Sequence, residues 1–151
     1  MINYKTALEE LRKYSVEIPE NPEKSTEELS LLLSKIQSYK NRVSALLVEA
    51  LWEKASLEAA LNAAETSYEA EKNALLATDP DITSKKSSDM REAAVNVRLA
   101  EKLSILNKAI VEKTMIDAYL KCIQQVYDNL DSASDSIGKQ IQLLSLMKKG
   151  V

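Results

Sequence analysis

The chain has 151 residues, 23 Asp/Glu against 20 Lys/Arg for a net charge of −3, no His, no Phe, one Cys, two Gly and three Pro. Without His, the Ser-His-Asp and Cys-His nucleophile systems and His-ligated zinc or haem are excluded. One Cys and two Gly exclude internal disulfides, Cys-based metal sites, P-loops and dinucleotide fingerprints, and the charge carries no global basic signature for nucleic acid.

These counts predict a helical, non-enzymatic chain with no catalytic residue, no metal, no cofactor and no small-molecule substrate. The length fits one domain, residues 1–151. So few glycines and prolines imply few turns and long elements, and a mix rich in Ala, Leu, Glu, Lys and Ser suits helix over sheet. No apolar run reaches the length of a membrane span. The opening Met1-Ile2-Asn3-Tyr4-Lys5 leads straight into a polar amphipathic pattern, unlike a signal peptide. The single thiol, Cys122, agrees with a reducing, cytoplasmic setting.

The first predicted helix covers about 3–15. Tyr4, Leu8, Leu11 and Tyr14 fall on one face, and a helix this short must dock on something to persist. Pro19 and Pro22, in Glu17-Ile18-Pro19-Glu20-Asn21-Pro22-Glu23, oppose helix and mark a linker.

The second helix covers about 26–77. Ser25 and Glu28 have the spacing of a capping box. Two heptad rows follow: Leu33, Lys40, Leu47, Lys54, Leu61, Tyr68, Leu75, and Leu29, Ile36, Val43, Ala50, Leu57, Ala64, Glu71. Leu32, Tyr39 and Leu46 widen the stripe in the first half, which predicts more than one neighbour there. Lys40 and Lys54 interrupt an apolar row. Their stems either lie along the groove with the ammonium groups at its edge, or the two lysines set register and oligomer number.

Pro80, in Thr78-Asp79-Pro80-Asp81, and the polar stretch Thr83-Ser84-Lys85-Lys86-Ser87-Ser88 mark a second break. A third helix then covers about 88–147. Ile116, Leu120, Ile123, Tyr127, Leu130, Ser134, Ile137, Ile141 and Leu144 keep strict 4-3 spacing. Leu99, Leu103, Leu106 and Ile110 keep it in a different phase, which predicts a slip near Lys113. Weak helix formers over Asp131–Gly138 predict a kink or close packing of small residues.

The simplest assembly is all-α: the short N-terminal helix folded onto two long antiparallel helices that form a helical hairpin. The third helix is apolar on more than one stripe, through Val95, Val97, Ile105, Val111, Met115 and Tyr119. Apolar surface of that extent predicts a partner site, with symmetric self-association as the common case. The candidate residues for a bundle or coiled-coil oligomer are Ile116, Leu120, Ile123, Tyr127, Leu130, Ile137, Ile141 and Leu144.

Few side chains offer chemistry. Glu65, Glu69, Glu71 and Asp117 read as solvated surface, since no Glu-x-x-His motif exists to make a di-iron site. Cys122 lies beside the Leu120/Ile123 seam with no basic cluster, and reads as a small buried residue. Lys85 and Lys86, followed by Arg91, Arg98 and Lys102 at helical spacing, make a candidate basic strip of about 25 Å, the kind of row a phosphate backbone requires. An ordinary charged face, paired with Glu92 and Glu101, is the competing reading. Residues 26–77 sum to −3, from eight acids and five bases, and residues 88–151 to +1, from eight acids and nine bases. Polyanion contact is therefore expected on the third helix and the loop before it. Among the aromatics available for base stacking, Tyr68 and Tyr127 fall on seam positions, whereas Trp52 flanks Lys54 off both seams.

The layout resembles the small helical recombination mediators of T4-like phages, which load a recombinase onto single-stranded DNA. The residues that carry the likeness are Leu8-Glu9-Glu10-Leu11-Arg12-Lys13 before a linker, the helix opening Ser25-Thr26-Glu27-Glu28 and carrying Leu46-Leu47-Val48-Glu49-Ala50, the restart Ser88-Asp89-Met90-Arg91, and Asn129-Leu130-Asp131-Ser132 leading to Ile137-Gly138-Lys139-Gln140-Ile141 and a Lys/Gly tail. It spans nearly the whole chain. It implies ring-like self-association through the C-terminal helix and binding of single-stranded DNA, recombinase and single-strand-binding protein, in the host cytoplasm of a phage. Where that family carries a basic, aromatic-flanked patch, Ala55-Ser56-Leu57-Glu58-Ala59-Ala60-Leu61 has no cation, so the likeness moves DNA contact elsewhere, for example to Lys85, Lys86, Arg91 and Arg98. The alternative from another class is a structural helical adaptor, such as a virion or scaffold component, that binds only protein.

Overall fold

A computed structural model describes residues 1–19 and 25–150. They form helices and short connections, with no strand among them. The helices are α1 (Tyr4–Leu11), α2 (Thr26–Thr78), α3 (Pro80–Thr83), α4 (Ser88–Arg98) and α5 (Ala100–Lys149). No helix of the described residues is long and apolar enough to cross a membrane. The chain divides into two compact units, Met1–Trp52 with Ala118–Val151, and Glu53–Asp117.

In the first unit, α1 starts where the Asn3 side chain accepts from the Thr6 amide at 3.2 Å. It closes earlier than expected, at Leu11, with tight turns from Lys13 to Glu10 and Tyr14 to Leu11. Docking supplies what its eight residues lack. Leu11 is buried, the Tyr4 ring meets Tyr119 edge-on at 5.8 Å, and Tyr14 meets Tyr39 at 5.2 Å. Arg42 donates to Glu10 at 2.9 Å. Tyr39 of the wide stripe is thus covered by Tyr14, from the turn that follows α1. Residues 15–19 are non-helical, as Pro19 predicts, while Glu20, Asn21, Pro22 and Glu23 of the expected linker lie outside the described residues.

The Ser25–Glu28 capping box forms in both directions: Ser25 Oγ accepts from the Glu28 amide at 3.2 Å, and Glu28 Oε2 from the Ser25 amide at 3.3 Å. From there Leu29, Ile36, Val43 and Ala50 are sealed from solvent at every seventh residue, as are Ile123, Leu130 and Ile137 on α5. Burying one such side chain stabilises by about 1.5–3 kcal/mol. The lysine of the other row, Lys40, places its stem in this seam. Its ammonium group bonds Asp131 and lies 5.2 Å from the Tyr127 ring centre. α5 runs through Gly138 without a break: burial of Ala133 and Ile137 overrides the weak propensity of 131–138, and nothing lies within 4 Å of a Cβ placed on Gly138.

In the second unit, Pro80 cannot continue α2. Asp79 instead caps α3, its carboxylate accepting from the Asp81 amide at 2.9 Å. This turn buries Ile82 against Tyr68, Val95 and Leu99, with Leu75, Leu76, Leu103 and Leu106 around them. The expected polar loop therefore holds a core residue. Ser87 caps α4, accepting from the Met90 amide at 3.1 Å.

Two features of the C-terminal half differ from the sequence expectations. The third helix is not one helix over 88–147: it breaks at Leu99, whose backbone leaves helical geometry (φ −104°, ψ 25°) while bonds from Leu99 to Val95 and Leu103 to Leu99 bridge the break. Neither Gly nor Pro is present. The cause lies in tertiary packing, because Val95 and Leu99 both turn into the Ile82 cluster. Nor does the stripe slip at Lys113. Leu99, Leu106, Ala109 and Ile116 are buried or half-buried with Lys113 half-buried between them, keeping one 4-3 phase, and Ile110 is exposed instead. A small residue and a lysine stem carry the seam where the eye seeks a large apolar one.

Candidate nucleic-acid interface

The five basic candidates share the second unit but not one state. Arg98 donates to Asp79 at 2.9 Å and Asp81 at 3.3 Å. Lys102 donates to Ser67 at 2.6 Å and pairs with Glu71 at 2.8 Å. These two cations are engaged by the chain's own carboxylates, close to the charged-face reading, although with different partners from the expected Glu92 and Glu101.

Lys85, Lys86 and Arg91 differ. The two lysines are exposed and form no ion pair with another described residue. Arg91 donates through Nε to the Lys85 carbonyl at 3.0 Å, which holds its guanidinium beside the turn without supplying a carboxylate. Capping by Ser87 fixes the start of α4, so these three cations are grouped by one turn and one helix end. The remaining terminal amides of α4 add a favourable field for an anion.

A cavity of about 420 Å³ opens beside them, lined by Lys72, Leu76, Thr83, Ser88, Arg91 and Glu92. Lys72 is the member that sequence reading missed. It belongs to α2, far from Arg91 in the chain, and only the return of α4 toward α2 brings the two together. The legible signal was limited to Ser87-Ser88-Asp89, a helix start.

The self-association candidates sit mainly in the chain's own interior. Ile116, Ile123, Leu130 and Ile137 are buried, and Leu120, Tyr127, Ile141 and Leu144 are half-buried. Of the second apolar stripe, Val95 and Tyr119 are also buried within the chain, while Val97, Ile105, Val111 and Met115 remain exposed. Further exposed apolar side chains occur at Leu143, Leu146 and Met147, and at Val48, Leu51 and Trp52. Cys122 is exposed, which corrects its expected burial: it lies one residue before Ile123, which occupies the seam.

Of the expected surface carboxylates, Glu71 pairs with Lys102 and Asp117 with two lysines. Asp117 accepts from Lys113 and pairs with Lys54, each at 3.2 Å, and these two cations hold its carboxyl below the usual range. Among the described residues, no group of three or more Cys, Asp and Glu side chains is placed to hold a metal ion. No protein-family model, curated protein or solved structure matches the chain.

Proposed function

We propose that the chain is a non-enzymatic, self-associating helical protein that serves as a phage-type recombination or repair accessory, binding single-stranded DNA and a recombinase. The resemblance of the whole layout supports the class. The observation that carries DNA contact is the grouping of Lys85, Lys86 and Arg91, three cations without a carboxylate partner among the described residues, at the start of α4. Trp52, 76% exposed, offers an aromatic face of the kind that stacks on bases or anchors a protein partner.

In this reading α2 and α5 are the antiparallel limbs of a hairpin. Moving 17 residues forward along α2, from Lys54 to Glu71, moves the ionic partner 15 residues back along α5, from Asp117 to Lys102. Self-association uses what the seam leaves over, with Leu143, Leu146 and Met147 in the C-terminal half of α5 as the exposed residues that favour it.

The test is binding of a labelled single-stranded oligonucleotide followed by anisotropy across a salt series. Affinity falling steeply with salt supports the reading. No binding at low salt, with all five candidate cations intact, overturns it. A second reading, a helical adaptor that binds only protein, is favoured by the pairing of Arg98 and Lys102 with the chain's own carboxylates. It takes precedence if oligonucleotide has no effect.

A further inference from the structure

The cavity between the end of α2 and the start of α4 has the chemistry of an oxyanion site. Lys72 and Arg91 bring two cations from separate helices, and Thr83 and Ser88 bring hydroxyls. The Ser87 side chain takes the Met90 amide, and the Ser87 carbonyl takes the Arg91 amide, so the Ser88 and Asp89 amides are left without an acceptor among the described residues.

Arg91 is prepared for this role. Arg42 and Arg98 each pair with carboxylates, whereas Arg91 is held by a backbone carbonyl through Nε alone. A guanidinium fixed in this way keeps its two terminal nitrogens for a ligand, in the fork geometry that matches phosphoryl oxygens. Little side-chain freedom is then lost on binding. Among the described residues Glu92 is the one acidic group lining the cavity, and it meets Lys72 only loosely, at 3.8 Å. An arriving anion can displace it at small cost.

We propose that this cavity binds a phosphoryl group, held by Lys72, Arg91 and Ser88, with Glu92 as a displaceable occupant of the Lys72 ammonium. A volume of about 420 Å³ takes the group with an adjoining sugar, for which Leu76 supplies the apolar wall. The source is either free phosphate or a nucleic-acid backbone. The second choice rests on the DNA-binding reading above, while the site itself does not.

The test is an amide and arginine Nε–H NMR titration of the full chain with inorganic phosphate and, separately, with a short oligothymidylate at low salt. Saturable shifts at Ser88 and Arg91 are expected with phosphate. Lys72→Ala and Arg91→Ala should each weaken it roughly tenfold, the scale of a charged hydrogen bond. Arg91→Lys should fall between, and Glu92→Gln should tighten binding severalfold.

Absence of saturable shifts at Ser88 and Arg91 with either probe overturns the proposal. So does unchanged phosphate affinity in both alanine variants. Phosphate binding without oligothymidylate binding supports the site and removes the nucleic-acid reading. Oligothymidylate binding that ignores Lys72→Ala and Arg91→Ala but is lost in a Lys85→Ala/Lys86→Ala variant keeps that reading and overturns the nucleic-acid backbone as the ligand of this cavity. Helical circular dichroism confirms that each variant is folded. If one is not, the wild-type shift map decides.

Discussion

Lys40 donates to Asp131 from within an otherwise apolar seam. The lysine side chain is 19% exposed and the aspartate 50%, so the charge is half-screened at the groove edge while the stem is packed. Asp131 holds the ammonium above its ordinary proton affinity through this bond. The geometry matches the first sequence reading of Lys40, with the stem along the groove and the ammonium group at its edge. A double-mutant cycle with Lys40→Met and Asp131→Asn, followed by urea unfolding, should give a coupling of about 0.5–1 kcal/mol, as for a partly exposed pair. A coupling of zero would assign the lysine to packing alone.

The uninterrupted stripe of α5 makes a sharp contrast between two isoleucines. Ile116 is sealed, and Ile110 is 44% exposed, although both lie on 4-3 rows in the sequence. Ile116→Ala should cost about 2–5 kcal/mol. Ile110→Ala should stay within about 0.5 kcal/mol. Equal losses in chemical denaturation would restore the phase slip that the sequence suggested.

That contrast shows what the sequence could and could not disclose. Heptad rows on α2 and the 4-3 row from Ile116 to Leu144 were legible, because a strict period leaves one solution for the buried face. The capping box at Ser25 was legible because it is local. The break at Leu99 was not, since it depends on Ile82 arriving from a loop that reads as polar. The same holds for the basic strip. Its spacing was visible, but the pairing of Arg98 with Asp79 and Asp81 depends on a turn closed by Pro80.

Asp79 serves two groups, accepting from the Asp81 amide and from Arg98. Asp79→Ala removes both and should destabilise the Ile82 cluster by about 1–2 kcal/mol, the scale of a lost cap. Asp79→Asn keeps the cap and loses the charge, so it should cost less. Hydrogen exchange at the Val95 and Leu99 amides reads this locally. Unchanged protection in the alanine variant would mean that Ile82 is held without the turn.

Acid should weaken the docking of α1. Arg42 holds the Glu10 carboxyl below its usual range by hydrogen bonding, helped by the Tyr14 hydroxyl. A depressed carboxylate stabilises the fold above its unfolded pKa, and that contribution is lost as pH falls through the folded one. The window lies below about pH 4.3. In Arg42→Ala the loss should already be present at neutral pH, and the acid dependence from Glu10 should shrink. Fluorescence of the tyrosines near α1, followed against pH in both proteins, checks this. Identical acid profiles would remove Glu10 from the account.

The most direct measurement is the mass of the full chain by light scattering, across concentration, with and without a single-stranded oligonucleotide at low salt. A self-associating DNA-binding accessory predicts a mass above the 16.8 kDa monomer that rises further when DNA is added. A monomer mass independent of concentration and unmoved by the oligonucleotide would contradict both halves of the proposed function at once.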